Sequence, residues 1–218
     1  MTAMASNADL VFVLVVVIDL FLLASSRLGA SIRTVAMQGA LLGALPLLLL
    51  RHGEPAGHAL LLAGGALAVK GFFIPWLMFR AIREASIRRE MEPVVGFVPS
   101  MVLGVVGVAL AFAFSSRLPL PDPETHGFLV PTALSTVWAG LLLVVTRKKA
   151  VSQVLGFLVL ENGVYVFGLL LSSVMPLMVE AGVLLDLFAA VFVMGIVMFH
   201  INREFSSLDT EKLSALKD

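Results

Sequence analysis

The chain contains no cysteine. That excludes disulfides and the thiolate ligands that iron–sulfur clusters normally require. An excess of either charge is missing too: 15 basic and 15 acidic residues cancel, so the balance points to no nucleic-acid or acidic partner. The four histidines, His52, His58, His126 and His200, are scattered without ligand spacing, which argues against a chain-borne metal or redox centre. No alternating ten-residue pattern recurs, which argues against a membrane β-barrel. No phosphate loop, nucleophile elbow or zinc motif is found, so no residue is nominated as catalytic and no cofactor is expected in this chain.

Charge of any kind is scarce. Only 14% of residues are charged, against about 25% in soluble domains, and 59% are hydrophobic. With a mean hydropathy of +1.01, this composition is that of an integral membrane protein, all-α in class. The opening MTAMASNADL lacks the basic region of a secretory signal, so the first apolar run is expected to stay as a helix. A helix needs roughly 20 apolar residues to cross a bilayer. Seven segments are predicted to do so: 10–26, 34–50, 58–79, 94–115, 128–146, 152–173 and 177–201. Counted over alternate connectors, twelve basic residues fall on one side, including Arg27, Arg80, Arg83 and Arg147 to Lys149, and two, Arg51 and Arg117, on the other. This asymmetry places the N-terminus outside and the C-terminus in the cytoplasm. Residues 80–93 read as a basic cytoplasmic connector and 202–218 as a polar tail, either simply solvated or docking onto a soluble partner.

The informative residues are ionisable groups inside these segments. Asp19, Lys70, Glu161 and Asp186 all fall close to the centres of their predicted helices, and so near one depth in the bilayer. Each costs roughly 2.5–3.5 kcal/mol there if charged and alone, so the four together cost on the order of 10 kcal/mol. They must pair, face water or give up their charge. The ordinary alternatives are a cavity or subunit contact for Asp19, a snorkelling Lys70, and a structural hydrogen-bonded pair for Glu161 and Asp186. Snorkelling serves a stem that starts mid-membrane poorly. Groups at equal depth on different helices suggest instead a path within the membrane plane, and carboxyl and lysine groups suit reversible proton transfer. Tyr165, at i+4 from Glu161, shares its face, where its hydroxyl is able to bond the carboxyl, as is the Asn162 amide at a less favourable angle; the alternative is an ordinary packing aromatic. Glu180, near a predicted helix start, suits an interfacial acid at the positive end of the dipole. Gly39-x-x-x-Gly43, and Gly156 with Gly163, predict close helix neighbours, and Pro46 and Pro75 predict kinks.

The run RKKAVSQVLGFLVLENGVYVFGLLL, residues 147–171, resembles the second-helix region of the small K subunit of respiratory complex I, and the C subunit of multisubunit sodium/proton antiporters. The segment VEAGVLLDLFAAVFVMGIVMFHINREF, residues 179–205, resembles the third helix of that K subunit, with Asp186 standing where a glutamate is usual. Seven helices, GFLVLENG and a closing INREF together resemble the hydrogenase-4 component E family. The resemblance implies a four-helix membrane part over 1–127, a K-subunit-like three-helix part over 128–205 and a polar cytoplasmic tail over 206–218. It also implies a non-catalytic subunit of an oxidoreductase complex in a bacterial or archaeal cytoplasmic (inner) membrane. The expected partners are antiporter-like and other membrane-arm subunits, and peripheral hydrogenase-type subunits that hold the nickel–iron and iron–sulfur centres. Glu161, Asp186 and Lys70 would then belong to a line of charges coupling redox chemistry to proton translocation. The alternatives are a sodium/proton antiporter subunit, a stand-alone transporter and a structural scaffold.

Overall fold

The computed structural model describes residues 2–48, 56–84, 94–118, 127–171 and 195. Six helical stretches make up this part, and no strand is found among the described residues. They are α1 (Thr2–Ala24), α2 (Leu28–Leu48), a continuous helix of α3 (Ala56–Ala66), a π-helical segment (Leu67–Phe73) and α4 (Ile74–Glu84), then α5 (Phe97–Ser115), α6 (Leu129–Thr146) and α7 (Ala150–Leu171). By length and apolarity, α2, α5, α6 and residues Val151–Leu169 of α7 are able to cross a bilayer. Of the seventh predicted span, 177–201, Gly195 alone is described, and Asp186 and Glu180 lie outside the described residues.

Helix ends depart from the apolar pattern for local reasons. α2 starts at Leu28, six residues before its predicted start, because small polar residues join it by bonding backward. The hydroxyls of Ser31 and Thr34 donate to the carbonyls of Arg27 and Ala30 one turn earlier. The connector predicted over 80–93 is in part helix, since α4 runs on to Glu84. Its buried Ile74, Leu77 and Met78 follow helical spacing while Arg80 and Arg83 stay exposed, an amphipathic end to the helix. The π-helical segment ends at Phe73, two residues before Pro75. Proline has no N–H to donate and its ring crowds the preceding turn, which favours a widened helix just upstream.

Glycine decides how closely the helices approach. A Cβ on Gly156 or Gly163 of α7 would stand 2.6 Å from the backbone nitrogen of Val144 or Val137 on α6, and one on Gly140 would strike the backbone of Leu160. These two helices therefore touch backbone to backbone. A second seam joins α2 to the π-helical segment: a Cβ on Gly39 would lie 2.8 Å from Lys70 Cβ, and one on Gly43 3.2 Å from Leu67 N. Both glycine pairs singled out in the sequence are thus seams.

One membrane face gathers the basic ends. Arg147 reaches the Leu23 carbonyl at the end of α1, Val94 donates to the Thr146 carbonyl, and Arg33 in the first half of α2 stacks on Phe79 in the middle of α4. An apolar cluster on this half includes Leu22, Ile32, Met78, Leu143 and Leu155. A second, on the other half, includes Phe12, Leu42, Leu45, Val130 and Val166. Between them lies a polar layer.

Candidate functional site

The polar layer is an unbroken chain of six side chains drawn from α1, α2, the π-helical segment, α6 and α7. Lys70 Nζ donates to Glu161 Oε1 and to Asn162 Oδ1, both at 3.2 Å. Asn162 Nδ2 donates to Gln38 Oε1 at 3.3 Å, and Gln38 Nε2 donates to Asp19 Oδ1 at 2.8 Å. Thr136 Oγ1 donates to Asp19 Oδ2 at 2.7 Å. Lys70 is 6% exposed, Glu161 2% and Asp19 1%, so these charges are removed from lipid and water alike.

The direction of the chain is set by its cation. An ammonium can only donate, so Asn162 must turn its oxygen to Lys70 and its nitrogen to Gln38. Gln38 must then turn its own nitrogen to Asp19. Two amide dipoles point the same way and carry the field of Lys70 to the Asp19 carboxylate. Lys70 thus sits between one acceptor that is a carboxylate, Glu161, and another that leads to a second carboxylate, Asp19.

Of the six site residues nominated from sequence, the structure brings together Asp19, Lys70, Glu161 and Tyr165. Asp186 and Glu180 fall outside the described residues. Asp19 is not central in α1, which starts at Thr2, yet its partners Gln38 and Thr136 place it at the depth of the others. The bond that the spacing allows between the Tyr165 hydroxyl and Glu161 is not made, and that buried hydroxyl has no hydrogen-bond partner. Instead the face of the Tyr165 ring lies 4.8 Å from Lys70 Nζ, a cation–π contact. Asn162 does not bond Glu161; it bridges Lys70 to Gln38.

Gln38 and Thr136 were not among the residues nominated. A search for ionisable groups passes over uncharged ones, although a glutamine in the middle of AMQGALLGALP is itself a costly intramembrane amide. Arg147 is a second surprise. Counted from sequence among the basic residues of the cytoplasmic connectors, it is 1% exposed. Its Nη2 donates to the Leu23 carbonyl at 2.7 Å, and its guanidinium carbon stands 4.8 Å from the Phe97 ring centroid. Burial pulls this guanidinium below the usual arginine pKa. Among the described residues, no three acidic or histidine side chains converge as a metal site requires.

This arrangement defines a class: a multi-helix membrane protein built around a buried lysine with two carboxylates. The chain is 37% identical to the uncharacterized protein Rv0085 of Mycobacterium tuberculosis over 193 residues, covering 88% of this chain and 87% of that protein. It is 27% identical to hydrogenase-4 component E of Escherichia coli K12, and equally to that of Shigella flexneri, over 164 residues, or 74% of this chain and 75% of the relative. The chain belongs to the hydrogenase-4 component E family. No protein-family model matches it. No solved structure matches it either.

Proposed function

We propose that this chain is a membrane subunit of a hydrogenase-type complex that relays protons through the Lys70–Glu161 pair, coupled to redox chemistry in partner subunits. The observation that carries this reading is the charge of the site. Glu161 holds the one ammonium directly and Asp19 is linked to it through Asn162 and Gln38, so with both carboxyls ionised these three groups are one negative charge in excess, and one proton neutralises it. A buried excess charge is costly, and binding a single proton is the least disruptive way to remove it.

The relay works by competition for Lys70. With Glu161 ionised, the ammonium is held by the carboxylate. When a proton neutralises Glu161, the ammonium keeps Asn162 and, through the aligned amides, draws on the charge of Asp19. Proton binding at Glu161 is thereby felt at Asp19 without a proton crossing the amides. Membership of the hydrogenase-4 component E family supports placing this relay beside antiporter-like membrane subunits in a bacterial or archaeal cytoplasmic membrane. The nickel–iron and iron–sulfur centres then belong to partner proteins.

The test is Glu161→Gln, which keeps size and hydrogen bonding but cannot take up a proton. Proton translocation coupled to turnover is expected to fall at least about tenfold, with the complex still assembled. Full coupling in an assembled Glu161→Gln complex would overturn the reading.

A further inference from the structure

The outer side of α4 and of the π-helical segment before it is aromatic at one end and basic at the other. Ile74, Leu77 and Met78 turn inward, while Phe72, Phe73, Trp76, Arg80 and Arg83 are exposed. Phe72 is 75% exposed and Phe73 and Trp76 are each 46% exposed, which suits side chains that meet hydrocarbon. Arg80 and Arg83 follow Trp76 at i+4 and i+7, so the three share one stripe. Phe72 comes two residues after Lys70, near the depth of the polar layer, and Arg83 eleven residues later. At 1.5 Å per residue that is about 16 Å, close to half of a hydrocarbon core about 30 Å thick. The stripe therefore has the length of one leaflet.

The neighbouring helix adds to it. α2 and α4 run antiparallel here, with Arg33 opposite Phe79 at 6.0 Å from its ring centroid, and Ala40 opposite Gly71. Ala36, Ala40, Gly71 and Pro75 are only partly buried, which leaves a shallow furrow along the seam. At the basic end the arginines rest on aromatic rings. The Arg80 guanidinium stands 5.7 Å from the Trp76 centroid, and the Trp76 ring in turn stacks on Phe73 at 6.2 Å. A ring meets the face of a guanidinium and a phosphate meets its N–H fork, so one arginine serves both. Even counting Glu84, which follows in sequence, the three arginines leave two positive charges.

We propose that this edge of α2 and α4 binds an anionic phospholipid. Its phosphate sits among Arg33, Arg80 and Arg83, and an acyl chain lies along the furrow and the aromatic stripe. A soluble partner reaches the arginines but not Phe72 in mid-membrane. A phospholipid meets both, with charge at one end and hydrocarbon along the rest. Such a lipid needs nothing from the proton relay, so the two readings fail separately.

The test offers the full chain, purified in mild detergent, equal amounts of phosphatidylglycerol and phosphatidylethanolamine with the same acyl chains. Native mass spectrometry reads which lipid is retained. Arginines at the headgroup layer each favour an anionic lipid, so a preference for phosphatidylglycerol of at least about tenfold is expected. Arg33→Gln combined with Arg80→Gln should bring the ratio close to one. Lys148→Gln, exposed at another corner of the basic face, should leave it unchanged. An equal fall in Lys148→Gln would assign the preference to the charge of the whole face and overturn the proposal. A wild-type ratio near one also overturns it, and loss of partner subunits from the double variant's complex would then mark a protein contact. If the double glutamine variant does not fold, Arg33→Lys with Arg80→Lys keeps the charge and loses the planar fork. That pair should lower the ratio at least about threefold, and an unchanged ratio there removes the arginines from lipid binding.

Discussion

Two cations are buried in this bundle, and their surroundings differ in kind. Lys70 meets a carboxylate, an amide and an aromatic face in the polar layer. Arg147, at the end of α6, meets a backbone carbonyl and a phenylalanine ring, and its Nε and Nη1 have no hydrogen-bond partner. The first set contains a group that can change protonation state and the second does not. Lys70 therefore belongs to a site that can respond to a proton. Arg147 instead caps the carbonyl end of α1, where the helix dipole favours a positive charge, and ties α1 to α6 at the basic face. Burial is common to both, and the partners differ.

Removing each cation in turn breaks the comparison most directly. Lys70→Met leaves Glu161 and Asp19 as buried charges without their cation, and breaking such a pair costs about 3–5 kcal/mol. The expected outcome is loss of the assembled complex, read by native electrophoresis of detergent extracts. Combining it with Glu161→Gln removes one charge of each sign and should restore assembly while translocation stays absent. Wild-type translocation in Lys70→Met alone would remove Lys70 from the relay.

Arg147→Met should behave differently. It removes one charge-assisted hydrogen bond together with the burial cost of the guanidinium, so the loss should be about 1–3 kcal/mol. The thermal midpoint of the purified complex is expected to fall, with the ratio of protons moved per turnover unchanged. A changed ratio in a folded Arg147→Met complex would erase the distinction between the two cations.

Tyr165 sharpens the comparison with the smallest effect. Its hydroxyl has no hydrogen-bond partner while its ring faces Lys70, so Tyr165→Phe should leave coupling nearly intact. Tyr165→Leu loses the aromatic face, worth about 0.5–2 kcal/mol to a desolvated ammonium, and should lower coupled translocation by a few-fold. Equal losses in the two variants would show that the hydroxyl, not the ring, matters.

Much of the helical framework was legible from composition. Six of the seven predicted segments coincide with described helices, because a backbone in lipid must satisfy its own hydrogen bonds and apolar runs show where it does so. Boundaries were less legible where polar residues stay helical, as at Ser31, Thr34 and Arg80 to Glu84. In the site, the ionisable members Asp19, Lys70 and Glu161 were conspicuous by their insertion cost. Gln38 and Thr136 carry smaller penalties and were masked by their neighbours. The role of Asn162 was misjudged because local helix geometry says which residues share a face, not which other helix supplies the partner.

The sequence by itself determined that the chain is a helical membrane protein with a few charges that must find partners, since the cost of a lone charge in lipid does not depend on the fold. It also marked the seams, because only glycine lets two helix backbones touch. Tertiary structure alone decided which charges pair. Lys70 and Glu161 are 91 positions apart, and Asp19 and Thr136 are 117 apart, and no local rule reaches over such separations. Tertiary structure also decided that Arg147 is buried and that the arginines of α2 and α4 meet at one edge. Both follow from how the helix ends stack against one another.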